Sequence, residues 1–209
     1  MGKEENTKER ILEAARKIFH QKGLSGARMS EIAEAAEINK AMLHYYFKTK
    51  QDLFDNVFLE AFKQIFPQVI SIVGSDKNLD EKIREISSFY NQLLTEKPEL
   101  PVFVLSSIQE NADHFVETIT QNIPNNSMEI MGKLMMQIAA AHQKGEIRAI
   151  DPRHLIINLV AMSIFPFAMK PLLTKIFGMD EAAFQAFITE RKTAVAEFVL
   201  NSITLKKES

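Results

Sequence analysis

Apolar residues recur at helical period along the whole chain, in blocks separated by short clusters of Gly, Pro, Asn and Asp. Ile11, Leu12, Ala14, Ala15, Ile18 and Phe19 form one wide face of a helix predicted over residues 8–22, with Asn6 and Glu9 as its cap and Gly23 as its stop. Ile32, Ala33 and Ala36 give a short second helix its inner face. Ile38 fills a corner, and Leu43 and Phe47 repeat at i, i+4 on a third helix. Thr49 with Asp52 reads as the cap of a fourth helix, carrying Phe54, Val57, Phe58, Ala61, Phe62 and Ile65, which Pro67 is expected to kink or end. Ile83, Ile86, Phe89, Tyr90, Leu93 and Leu94 mark the next, closed by Lys97 and Pro98. Further helices are predicted over about 101–110, 113–121, 128–144, 152–173 and 181–205, with Gly145 as a stop, Asp151 and Pro152 as an entry, and a frayed tail at 206–209. No block sustains period-two alternation. The fold class is therefore all-α: a three-helix helix-turn-helix domain in residues 1–49, joined by a fourth helix to a larger helical domain in residues 50–209, with about nine helices.

Composition adds little until charge is followed along the chain. The net charge is −2, from 25 Lys and Arg against 27 Asp and Glu. Residues 1–53 carry ten basic and eight acidic side chains, net +2, so the rest holds 15 against 19, net −4. A mildly basic head precedes an acidic body. There is no cysteine, which excludes disulfides and thiolate metal sites and fits a reducing compartment. The start lacks the apolar run of a secretory signal, and the most apolar window, residues 155–167, is broken by Asn158, Ser163 and Pro166, so a cytoplasmic protein with no membrane partner is expected. The histidines at 20, 44, 114, 142 and 154 form no HExxH pair, and no glycine-rich phosphate loop is present. Neither an enzyme nor a cofactor is expected.

Chemistry concentrates in residues 29–53. Between Ile38 and Lys50 the charged residues are Lys40, Lys48 and Lys50, without an acid, and His44, Tyr45 and Tyr46 interleave as polar-tipped rings. That composition suits a phosphate surface.

The run ILEAARKIF, the KG that follows, and EIAEAAEINKAMLHYYFKTKQDLF together resemble, without a gap from Thr7 to Phe54, the DNA-binding domain of the TetR/AcrR family of bacterial transcription regulators. Gly145-Glu-Ile-Arg148 followed by Asp151-Pro152 is similar to the junction before that family's two dimer-forming helices. Three features depart from the family pattern. Glu37 stands where the turn usually has Gly, at a cost of about 1 kcal/mol if a left-handed conformation is kept. Ala27 and Arg28 replace the usual hydroxyl before the second helix, and His44 replaces a diagnostic tyrosine.

In a helix-turn-helix the second helix offers its N-terminal residues to base edges while flanking groups hold phosphates. Base reading is accordingly expected from Asn39, Lys40, Ala41 and Met42, and phosphate contacts from Arg28, His44, Tyr45, Lys48, Thr49 and Lys50, with Ser30 in either class. One head reads too few base pairs, so two heads on a palindromic DNA operator are needed. Ile156, Leu159, Val160, Ser163 and Phe167, with Phe184, Phe187, Ile188, Val195, Phe198 and Val199, are the expected homodimer faces, which in the resembled family pair as a four-helix bundle; the same residues also suit a monomer core. The resemblance further implies a pocket for a small effector. Phe62, Phe66, Phe89, Phe103, Met131, Met135, Met162 and Phe165 are candidate lining for an apolar or amphipathic ligand, with Gln109, His114 and Asn158 as polar groups. The expected function is a repressor released from its operator by that ligand; an activator, or a helical module binding only protein, are the alternatives.

Overall fold

The computed structural model describes the backbone of residues 2–124 and 126–205 and the side chains from Asn6 onwards. Among these residues there are eleven helices and no strand. They are α1 (Gly2–Gly26), α2 (Met29–Ala35), α3 (Lys40–Tyr46), α4 (Lys50–Gly74), α5 (Leu79–Glu96), α6 (Leu100–Glu110), α7 (Ala112–Asn122), α8 (Ser127–Gln143), α9 (Pro152–Ala168), α10 (Lys170–Phe177) and α11 (Glu181–Ile203). Three local expectations are corrected. The first helix begins before Asn6, which is therefore not its cap, although Gly23 does break it at φ 65° and ψ −178°. Pro67 does not end α4, which runs on to Gly74 with the proline inside it. Residues 152–173 are not one helix. The axis turns by 74° between α9 and α10, where Pro171 sits in the first turn of the new helix and has no N–H to continue the old one. The tail at 206–209 lies outside the described residues.

The chain packs as two units, one of Met1–Phe66 with Val102–Ile123 and one of Pro67–Pro101 with Pro124–Ser209. The first is larger than residues 1–49 for a physical reason. Ile11, Ala15, Phe19, Ile32, Leu43 and Phe47 are buried where α1, α2 and α3 meet, but the α1 ring Phe19 also packs edge-on against Phe54 of α4 at 5.0 Å. Phe54 lies 5.4 Å from Phe103 of α6, which reaches Phe58 at 6.4 Å, and Phe58 contacts Phe115 of α7 at 4.4 Å. This line of rings makes the first part of α4, most of α6 and all of α7 share one core with the head. Polar ties follow the same path: Arg16 donates to Glu60 at 2.7 Å, and His114 Nε2 lies 2.9 Å from Asp55 Oδ1. By length and apolar content α4 could cross a membrane, but Leu53, Phe54, Val57, Phe58 and Ala61 are buried in the fold.

The second unit is built on α5, α9 and α11, with α8 against α9. α5 opens with a reciprocal cap, the Asn78 side chain accepting from the Glu81 N–H and the Glu81 carboxylate from the Asn78 N–H, both at 2.9 Å. Its inner face, Ile83, Ile86, Tyr90, Leu93 and Leu94, is buried, and burial pushes the Tyr90 hydroxyl up to about 12. Ser87 and Asn91 donate to the Lys192 and Ile188 carbonyls of α11 at 3.1 and 2.6 Å. Arg191 of α11 donates to the Met162 carbonyl of α9 at 2.8 Å. These bonds fix the register of three helices whose contact is otherwise apolar. Asp151 caps α9 by accepting from the Arg153 N–H at 2.8 Å. The Arg153 guanidinium beside it holds the Asp151 carboxyl down at about 2.

Two outcomes are expected from these local features. Glu37→Gly relieves a left-handed backbone at an exposed position and is expected to stabilise the protein by up to about 1 kcal/mol, read from urea denaturation. Because the Asp151 pKa is depressed in the fold, its contribution is present above the ordinary carboxylate range and lost as pH falls towards 2. Asp151→Asn, which can still cap, is therefore expected to narrow its stability difference from wild type as pH is lowered from about 4 to 2, measured by thermal melts across that range.

Candidate nucleic-acid interface

Backbone geometry sets the turn between α2 and α3. The Ile38 N–H donates to the Ala33 carbonyl and the Glu37 N–H to the Glu34 carbonyl, both at 3.0 Å, which closes α2 with Glu37 in the left-handed region at φ 54°. The same closure ends α8, where Glu146 and Gly145 bond back to Ala141 and His142 and the left-handed residue is Gly145 at φ 68°. Glu37 thus keeps the turn that glycine would make. Arg10 of α1 supports it, donating to the Ala36 carbonyl at 2.6 Å and to the Glu37 carboxylate at 3.2 Å. At the other end of α2, Arg28 stands in the N-cap position in extended conformation without a side-chain cap bond, so its guanidinium stays on the exposed surface.

Asn39 caps α3, its side-chain oxygen accepting from the Met42 N–H at 2.7 Å. That oxygen is committed, and only its amide group remains for a base. Leu43 and Phe47 are buried, which rotates Lys40, Ala41, Met42, His44 and Tyr45 to the exposed side. Tyr45 is 77% exposed and meets Tyr46 edge-on at 5.4 Å. His44 Nδ1 lies 3.4 Å from the Lys48 carbonyl. Thr49 accepts from the Asp52 N–H at 3.0 Å, and Asp52 accepts from the Lys48 N–H at 3.2 Å, so the expected cap of α4 forms. Lys50 has partners within the chain itself. Its ammonium donates to the carbonyls of Ala27 at 3.0 Å and Ser25 at 3.4 Å, fixing the segment that leads into α2. Arg28, Ser30 and Lys48 are exposed around this face. No acid lies between Ile38 and Lys50, and the neighbouring acids Glu37 and Asp52 are held by Arg10 and the Lys48 N–H. Arg10 was not foreseen as part of this apparatus; its place on the inner edge of the first helix, opposite the turn, is a three-dimensional fact.

The proposed effector residues are divided between the two units. Phe62 stacks on Phe66 at 4.8 Å and, like Phe103, belongs to the first unit, where Phe103 is buried in the line of rings. Gln109 is exposed and His114 is engaged with Asp55. In the second unit Phe165 and Asn158 point outward, Met135 is exposed, and Phe89 and Met162 are half-buried. Met131 lines an apolar cavity that also takes Val73, Ile83, Leu134 and Ile138, together with Ile156, Leu159 and Val160, which the sequence had suggested for dimer contact. Leu159, Ser163, Phe167, Phe184, Ile188, Val195 and Val199 are buried within the chain itself, so they serve the core of this unit. Phe187 is half-buried beneath Arg191, 5.5 Å from its guanidinium. Phe198 is 63% exposed, as are Ile157 at 62% and Phe165 at 54% on α9. On α9, Ile157 was missed and Phe165 was read as pocket lining, because apolar residues surround that helix.

Comparison with known proteins agrees with this geometry. Residues 11–57, which span α1 to the first turns of α4, match the bacterial regulatory proteins of the tetR family. The HTH-type transcriptional repressor NicS of Pseudomonas putida is 28% identical over 184 residues, covering 87% of this chain and 85% of its own. The HTH-type transcriptional regulator RutR of Escherichia coli O157:H7 is 25% identical over 206 residues, covering 91% and 89%. A TetR family transcription regulator from Marinobacter aquaeolei VT8 shares the fold with a TM-score of 0.68 at 18% identity, covering 99% of this chain and 100% of its own. Residues 11–57 thus carry a match to the DNA-binding domain of the tetR family, and the chain is a helix-turn-helix, DNA-binding transcriptional regulator.

Proposed function

We propose that this regulator acts as a repressor: a homodimer places two heads on a palindromic operator and leaves it when a small apolar or amphipathic effector binds the helical body, residues 50–209, while residues 1–49 form the reading head. The observation that carries the reading is the exposed, acid-free side of α3 and its flank, with Lys40, Met42, His44, Tyr45 and Lys48 outward and Leu43 and Phe47 inward. α3 enters the major groove by its first turn. Lys40 donates to guanine, and Ala41 and Met42 pack on thymine methyls. Arg28, Ser30, His44, Tyr45, Lys48 and Thr49 position the backbone, while Lys50, tied to the Ala27 carbonyl, orients the entry to α2. The repressor assignment follows NicS by similarity. For the dimer, the outward residues Ile157, Phe165 and Phe198 supply what the buried ones cannot.

Duplexes selected from a random pool provide the substrate for the tests. Lys48→Ala is expected to weaken binding to specific and unrelated duplexes alike and to reduce the slope of log affinity against log salt by about 1, whereas Lys40→Ala is expected to cost about 1–3 kcal/mol on the selected site and relax its sequence preference. Salt-independent retention, unchanged by either substitution, contradicts the α3 assignment. Phe198→Glu is expected to shift sedimentation from dimer to monomer and to weaken binding to the two-half-site duplex more than to a single half-site. An unchanged dimer removes α11 from the interface.

A further inference from the structure

Ser25 stands between the kink at Gly23 and the entry to α2, and side chains from two later helices of the same unit take all three of its polar groups. Lys50, the first residue of α4, donates to the Ser25 carbonyl at 3.4 Å. Glu110, the last residue of α6, accepts from the Ser25 N–H at 3.4 Å and from its hydroxyl at 3.3 Å, both through the single oxygen Oε1. That oxygen lies 3.2 Å from the place a Cβ on residue 23 would occupy. Gly23 therefore serves twice: it takes the left-handed φ of 65° without strain, and it leaves room for the carboxylate to approach.

Neither α6 nor DNA gains from this carboxylate directly. An acid in the last turn of a helix opposes the helix dipole, and an acid on a phosphate-binding unit repels the ligand. What Glu110 contributes is a hold on the backbone that, three residues later, presents Arg28, which is extended, exposed and without a cap bond of its own. α2 has only seven residues, so its ends govern its orientation. Because Ser25 is exposed, water competes for each bond, and the hold adds little to stability while still setting position.

We propose that Glu110 is a positioning residue for DNA binding: it grips Ser25 opposite Lys50, fixes the α1–α2 connector and so aims Arg28 at the phosphate backbone, without touching DNA itself. This rests on the backbone role given to Arg28 above.

The test measures binding of the full chain to a selected duplex across a salt series for wild type, Glu110→Ala, Glu110→Gln, Arg28→Ala and the double variant Arg28→Ala with Glu110→Ala. Glu110→Ala is expected to weaken binding about threefold to tenfold with Tm unchanged, and to lower the slope of log affinity against log salt towards that of Arg28→Ala, itself reduced by about 1. Glu110→Gln, whose amide oxygen still accepts from Ser25, is expected to bind within about twofold of wild type or more tightly. The double variant is expected to bind within about twofold of Arg28→Ala, since a residue acting through Arg28 has nothing left to aim. Charge alone makes the opposite forecast, that Ala and Gln both tighten binding. Equal behaviour of Glu110→Ala and Glu110→Gln, in either direction, overturns the proposal, as does full additivity in the double variant. Weakening by Arg28→Ala but not by Glu110→Ala overturns Glu110 alone; an Arg28→Ala chain that binds as wild type overturns the backbone role of Arg28, and Glu110 with it.

Discussion

The line of phenylalanine rings from Phe19 through Phe54 and Phe103 to Phe58 and Phe115 is the constraint on which the first unit depends. A three-helix head offers little interior, and α2 and α3 are each only seven residues long. Their own buried residues, Ile32, Ala33 and Leu43, are too few to order a head by themselves. Large rings on α1 and α4, met by Phe103 and Phe115 from later in the sequence, supply the missing apolar area. The reading surface is thereby held by residues far from it in the chain. A change at Phe103, which touches no DNA, acts on the same core that fixes α1.

Against that background the α2–α3 turn is a local problem with a local solution. Glu37 occupies a backbone conformation that a side chain disfavours, yet all the bonds that close α2 are made. Arg10 supplies two further bonds to the same corner, one to the backbone carbonyl of Ala36 and one to Glu37 itself. The residue whose Cβ strains the turn also supplies the carboxylate that helps hold the arginine bracing it. Since the Arg10–Glu37 pair is solvent-exposed, the carbonyl bond is the stronger contributor.

Helical period made most elements legible in the sequence, together with the caps Asp151 and Thr49 and the stops Gly23 and Gly145, because each of these acts through bonds within a few residues of itself. What stayed hidden depended on more than local pattern. The α9–α10 break falls inside a continuous apolar run, where Pro166 is tolerated and Pro171 is not. α9 is apolar on every side, so no periodicity could tell Leu159, which is buried, from Ile157, which is not. The candidate effector residues were chosen by type, and rings of one type serve two different cores.

The excursion between α9 and α11 closes on itself. Lys170, the first residue of α10, donates to both carboxylate oxygens of Glu181, the first residue of α11, at 2.8 Å, and lies 4.8 Å over the Phe184 ring. Gly178 ends α10 in the left-handed conformation, and Asp180 caps α11 afresh by accepting from the Ala183 N–H at 2.8 Å. The start and end of the loop are thus joined independently of what lies between them, and added length costs only the slow logarithm of loop entropy. The tip of this excursion, around Gly178, is therefore where the chain can accept an inserted peptide, a fluorescent reporter or a longer natural segment without disturbing the α5–α9–α11 packing.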